Sequence, residues 1–140
     1  MLKYNSASMI GRIHEAVNSR IIFELERRGI EGIVPSHGDI LARLYQEDGL
    51  SIKELAEKIH RTQPTVTVLV NKLEKLGYVK RTKGKEDARV TSIYLTDKGM
   101  ELEPVFQAIS DALNEVIYGG LSDSEREQLE KLLDHVFRRF

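Results

Sequence analysis

Between Ser51 and Leu95 the hydrophobic period changes, and that change limits what the chain can build. Leu55, Ala56 and Ile59 recur at helical spacing behind a capping box, Ser51-Ile-Lys-Glu54. His60, Arg61 and Thr62 interrupt the pattern. Thr62 is placed to cap a second helix. Pro64 is tolerated in that helix's first turn because the N–H it lacks would be unpaired there anyway. Val66, Leu69, Val70, Leu73 and Leu76 form its buried stripe, and Gly77 ends it. The period then shortens. Residues 78–82 and 90–95 are short and β-prone, on either side of a polar, Gly-containing loop from Lys83 to Arg89. That pattern predicts a hairpin. Two short helices at a tight turn, followed directly by a hairpin, predict a winged helix-turn-helix.

Helical patterns flank this middle stretch. Ile10, Ile13, Val17, Ile21 and Leu25 make one face of a first helix over roughly residues 6–28, ended by Gly29 and Gly32. Pro35-Ser36-His37-Gly38-Asp39 reads as a helix start with Ser36 as its cap, and Ile40, Leu41, Leu44 and Tyr45 as the inner face. Beyond the hairpin, Thr96-Asp97 opens a helix carrying Leu102, Val105, Phe106, Ile109, Leu113, Val116 and Ile117. Pro104 predicts a kink near its first turns. Gly119-Gly120 ends it. A further capping box, Ser122-Asp-Ser-Glu125, opens a last helix lined by Leu129, Leu132, Leu133, Val136, Phe137 and Phe140. The expected order is α-α-α-α-β-β-α-α, mainly α with a small β-hairpin wing. The expected organisation is a lobe over residues 35–97, flanked by 1–34 and 98–140, with one shared core.

Composition narrows the chemistry. Without cysteine there is no disulfide, thiolate metal site or thiol nucleophile. No apolar run approaches the roughly 18 residues of a membrane span, and the N-terminus has no signal-peptide core, so a cytoplasmic location without membrane contact is expected. The net charge of −1 hides a segregation. From Arg61 to Arg89 there are eight Lys/Arg against three acids, while the rest of the chain has 13 against 19. A basic lobe on an acidic body suits local phosphate contact.

The second helix of the pair exposes Gln63, Thr65, Thr67, Val68, Asn71 and Lys72. Gln and Asn pair with adenine edges, Thr bonds bases or phosphates or touches a thymine methyl, and Lys neutralises phosphate. The wing loop holds Lys83, Lys85 and Arg89, placed for phosphates or a narrow minor groove. Asp87 is expected to hold the Arg89 guanidinium through a bidentate pair. Arg61 and Thr62, in the turn, are further candidates for backbone contact. His14, His37, His60 and His135 show no tight ligand spacing, so no metal or other cofactor is expected. Ser36, His37 and Asp39 read as a helix start, not a catalytic set, and no phosphate-binding glycine pattern is present. Catalysis is therefore not expected.

The run Asp87-Ala-Arg89-Val-Thr-Ser-Ile-Tyr-Leu95-Thr96-Asp-Lys-Gly99 resembles the signature of the MarR family of bacterial and archaeal regulators: Asp-x-Arg in the wing, then Leu-Thr-x-x-Gly opening the next helix. Thr65 to Arg81 resembles that family's recognition helix and first wing strand, and the helix order agrees along nearly the whole chain. The resemblance implies a homodimeric winged-helix DNA-binding regulator, more often a repressor, whose flanking helices interlock as the dimerisation elements. Its two recognition helices would read a pseudo-palindrome in successive major grooves of double-stranded DNA. It also implies a small aromatic or phenolic effector that releases DNA, with His14, Tyr45 and Phe106 as candidate lining. Val68 departs from the pattern, because that position often carries Arg in the family. Two other classes stay open: a winged helix used for protein interaction, and an architectural DNA binder without effector.

Overall fold

The computed structural model describes residues 4–84 and 87–140. They fall into two compact units, Met1–Ile109 and Ser110–Phe140. The first contains α1 (Ser6–Arg27), α2 (Pro35–Gln46), β1 (Leu50–Ser51), α3 (Ile52–Ile59), α4 (Gln63–Lys75), β2 (Val79–Lys83), β3 (Thr91–Leu95), α5 (Asp97–Glu101) and the start of α6 (Glu103–Tyr118). The second holds the rest of α6 and α7 (Asp123–Arg138).

The core of the first unit comes from the predicted stripes. Ile40, Leu41 and Leu44 of α2, Leu55 of α3, and Val66, Val70 and Leu73 of α4 are at most 1% exposed, with Ile93 of β3 among them. Three capped starts order the helices as expected. Ser51 Oγ accepts the Glu54 N–H, Thr62 Oγ1 accepts the Thr65 N–H, and Thr96 Oγ1 accepts the Gly99 N–H. Each bond satisfies a first-turn donor that the helix itself leaves unpaired. Pro104 marks the expected break, with α5 and α6 separated at Leu102.

Three features differ from the sequence reading. The hairpin β2–β3 forms in antiparallel register, Arg81 opposite Ile93, but β1 also pairs with β3 through Leu50–Ile93 and Ser51–Ser92. The sheet therefore has three strands in the order β1-β3-β2. Two residues are too few to show a period of two in sequence. Secondly, α2 begins one residue before Ser36, after Val34, and Ser36 does not cap it. The imidazole of His37 takes that role, its Nδ1 accepting the Val34 N–H at 3.0 Å. Thirdly, Glu24, on which the sequence reading was silent, is buried on α1, with Arg20 at 3.3 Å, Arg27 at 3.0 Å and Arg28 also paired to it.

The family-like run Leu95–Gly99 is structural. Thr96 Oγ1 donates to the Gly77 carbonyl, and Lys98 Nζ donates to the Leu76 carbonyl at 2.7 Å while lying over the Tyr78 ring. These bonds satisfy carbonyls at the end of α4. Gly99 sits so close to Tyr78 that a Cβ there would meet the Tyr78 carbonyl oxygen at 2.1 Å. Only glycine permits that approach.

Candidate nucleic-acid interface

Helix α4 presents its outer face between the turn that precedes it and the wing that follows. His60, in the left-handed region at φ 57°, turns the chain sharply between α3 and α4. Arg61 and Thr62 follow, both exposed. Burial pushes the Asp39 carboxyl up, and the charges of Arg61 and then Arg43 pull it back.

Among the predicted α4 residues, Gln63, Thr65, Val68, Asn71 and Lys72 are exposed and Thr67 is half-buried. Their side chains are in different situations. The Thr62 hydroxyl donates to that of Thr65 at 2.9 Å. Thr67 Oγ1 donates back to the Gln63 carbonyl at 3.0 Å, a turn earlier in the same helix. Asn71 Oδ1 accepts from Arg81 of β2, whose other terminal nitrogen donates to Glu74 at 2.8 Å. Sequence reasoning placed Arg81 only within the first wing strand and missed this tie between α4 and the wing. Lys72 reaches back over the α1–α2 loop, where a side chain at Gly32 would meet its Cε and Nζ at 3.5 Å. Val68 has 67% of its surface exposed.

In the wing, Asp87 and Arg89 form the expected pair. Arg89 Nε donates to Asp87 Oδ1 at 3.1 Å and a terminal nitrogen to Oδ2 at 3.2 Å, while the Arg89 backbone N–H also bonds Oδ1. The side-chain bonds from Arg89, then its backbone N–H, hold the Asp87 carboxyl below the usual carboxylate range. Two of five guanidinium N–H groups are used in this way, so three remain for a ligand. The Arg89 side chain is 91% exposed. Lys83 is exposed at the end of β2. Lys85 lies outside the described residues.

The three effector-lining candidates have separate surroundings. His14 is exposed on α1 and bonds Asn18. Tyr45 donates its hydroxyl to the Gly99 carbonyl at 2.6 Å, and burial, then Glu103 and Tyr78, push that phenol up. Phe106 packs against Gly38, where a Cβ would meet its ring at 3.0 Å. Gly38 and Tyr45 stand seven positions apart, about 10 Å along α2.

Comparison with known proteins agrees with this arrangement. The family model described as MarR family matches residues 33–91. The HTH-type transcriptional regulator PrsX of Escherichia coli is 37% identical over 115 residues, which cover 77% of this chain and 69% of PrsX. The HTH-type transcriptional regulator SarZ of Staphylococcus haemolyticus is 36% identical over 97 residues, covering 69% of this chain. Across SarZ and the next two curated relatives the match spans 47% to 65% of the relative's own length. Among solved structures, the S. aureus MepR–DNA complex superposes with a TM-score of 0.88 at 27% identity, covering 100% of both chains.

Proposed function

The chain belongs to the MarR family of winged-helix transcriptional regulators, and from that premise we propose that it binds double-stranded operator DNA as a homodimer and acts as a repressor in the cytoplasm. The observation that carries this reading is the joint exposure of the outer face of α4 and of Arg89 on the wing. In the proposed complex α4 enters the major groove, with Gln63, Thr65, Thr67, Val68, Asn71 and Lys72 as its contact set. Arg61 and Thr62 meet the backbone, Lys83 and Lys85 neutralise phosphates, and Arg89 enters the minor groove while Asp87 orients it. No chemistry is performed. Repression comes from covering promoter DNA.

Residues 35–97 carry the DNA contact in this reading, while 1–34 and 98–140 build the dimer. Exposed apolar side chains on each flank support the dimer. Met9, Ile10, Ile13 and Phe23 lie on α1, and Leu132, Leu133, Val136 and Phe137 on α7, each at least 39% exposed. Membership of the family supports release by a small aromatic or phenolic ligand lined by His14, Tyr45 and Phe106. Among the described residues no helix is long and apolar enough to cross a membrane.

The test is a fluorescence-anisotropy titration of an operator duplex across a salt series. Arg89→Ala should lose about 1–3 kcal/mol of binding, with dimer mass and helicity unchanged. Unchanged affinity would remove Arg89 from the interface. Affinity insensitive to salt would contradict phosphate contact altogether.

A further inference from the structure

Several hydrogen-bonding groups on the outer face of α4 already bond within the protein itself. The Thr62 and Thr65 hydroxyls bond each other. The Thr67 hydroxyl is turned back on the helix backbone. A guanidinium only donates, so the Asn71 atom that Arg81 holds is the carbonyl oxygen. Bidentate pairing with adenine needs that oxygen as acceptor together with the amide N–H. While the clamp stands, one lone pair of that oxygen is taken and the amide is held in the Arg81 geometry, so it is not free to turn its oxygen and N–H together onto an adenine edge. Lys72 leans over Gly32.

What stands outward at the middle of the helix is apolar. At about 100° per residue, Val66, Val70 and Leu73 centre on the core side and Val68 falls almost opposite them. Pro64, also exposed, lies one turn earlier on the same face. A single exposed valine is ordinary on a protein surface. Val68 differs in its position, at the centre of the outer face, where its polar neighbours Thr65 and Asn71 already hold partners within the protein. Its β-branched side chain has essentially one rotamer in a helix, so its methyls are presented with little entropy left to lose.

Resting on the reading of α4 as the groove-facing helix, we propose that the Pro64–Val68 ridge reads the C5 methyl of thymine in the major groove, which makes Val68 a specificity-determining residue. Of the four bases only thymine carries that methyl, and it lies on the major-groove edge. Apolar contact is non-directional, so the ridge accepts thymine on either strand beneath it and rejects cytosine, which presents a polar amine and no methyl.

The test uses the full chain and an operator selected from random duplex DNA. Half-site thymines are replaced by deoxyuridine, which removes the methyl and leaves the hydrogen-bonding edges intact. The wild type should lose about fourfold in affinity for each contacted methyl, the value of one buried CH₂. Deoxyuridine outside the half-sites should have no effect. Val68→Ala, at an exposed helical position that tolerates alanine, should lose most of the discrimination, and Val68→Ile should keep it. Equal wild-type affinity for the two duplexes, or full discrimination in Val68→Ala, overturns the proposal. If no thymine-containing duplex is bound with sequence preference, the DNA-reading premise fails at that earlier step, and this inference falls with it.

Discussion

At the scale of single residues, Arg81 decides what several of its neighbours can do. It joins β2 to α4 through Asn71 and Glu74. With 30% of the Arg81 side chain and 40% of Glu74 exposed, solvent screens the charge pair, so its contribution is modest. Arg81→Ala should lower unfolding free energy by about 0.5–1 kcal/mol in urea titrations. Arg81→Lys should recover only part, because a point charge cannot fork between an amide and a carboxylate. A loss of several kcal/mol would show that the clamp also orders the wing. Asn71 was legible in the sequence as a polar residue on an exposed helix face. Its engagement was not, because Arg81 lies ten residues away and only the antiparallel return of β2 brings it close.

At the scale of elements, caps were the readable part of the sequence. Ser51, Thr62, Thr96 and Ser122 were all visible as local patterns, and all four accept a first-turn N–H. The start of α2 was read at Pro35, but its cap was misassigned to Ser36, since a histidine three residues after a valine is not a familiar cap. Its geometry has a consequence for pH. Nδ1 of His37 can accept the Val34 N–H only while the ring is unprotonated on that side. Burial, and then the charge of Lys72, hold His37 below the ordinary value of 6.5. The unfolded chain therefore binds a proton that the folded chain refuses. Stability from this group is present above the ordinary histidine range and falls as pH drops through it. Unfolding free energy should decrease between about pH 7.5 and pH 5.5. His37→Gln, which keeps an acceptor and cannot titrate, should flatten that part of the curve. An identical decline in His37→Gln would assign it to other groups. β1 escaped the sequence reading for a different reason. It is defined by its partner β3, not by any pattern of its own.

At the scale of the whole molecule, the apolar residues of α7 are the main unspent feature. The helix carries Leu132 at 62%, Leu133 at 50% and Phe137 at 72% exposure, and none of its residues is buried. The sequence showed this stripe clearly but not what covers it, because intramolecular and intermolecular burial leave the same periodicity. A second copy of the chain is the cover proposed. Sedimentation should give twice the 16.0 kDa chain mass. Leu133→Asp should raise the dimer dissociation constant by about tenfold or more, since burying a leucine contributes about 1.5–3 kcal/mol. A monomeric wild type would contradict the assembly and, with it, two-half-site recognition. The measurement that tests the central claim most directly is selection of the purified chain on random duplex DNA at about 100–150 mM salt, which suppresses purely electrostatic binding. The account predicts an enriched inverted repeat whose half-sites lie about one helical turn apart. No enrichment, together with no salt-sensitive duplex binding, would contradict it and leave the winged helix as a protein-interaction module.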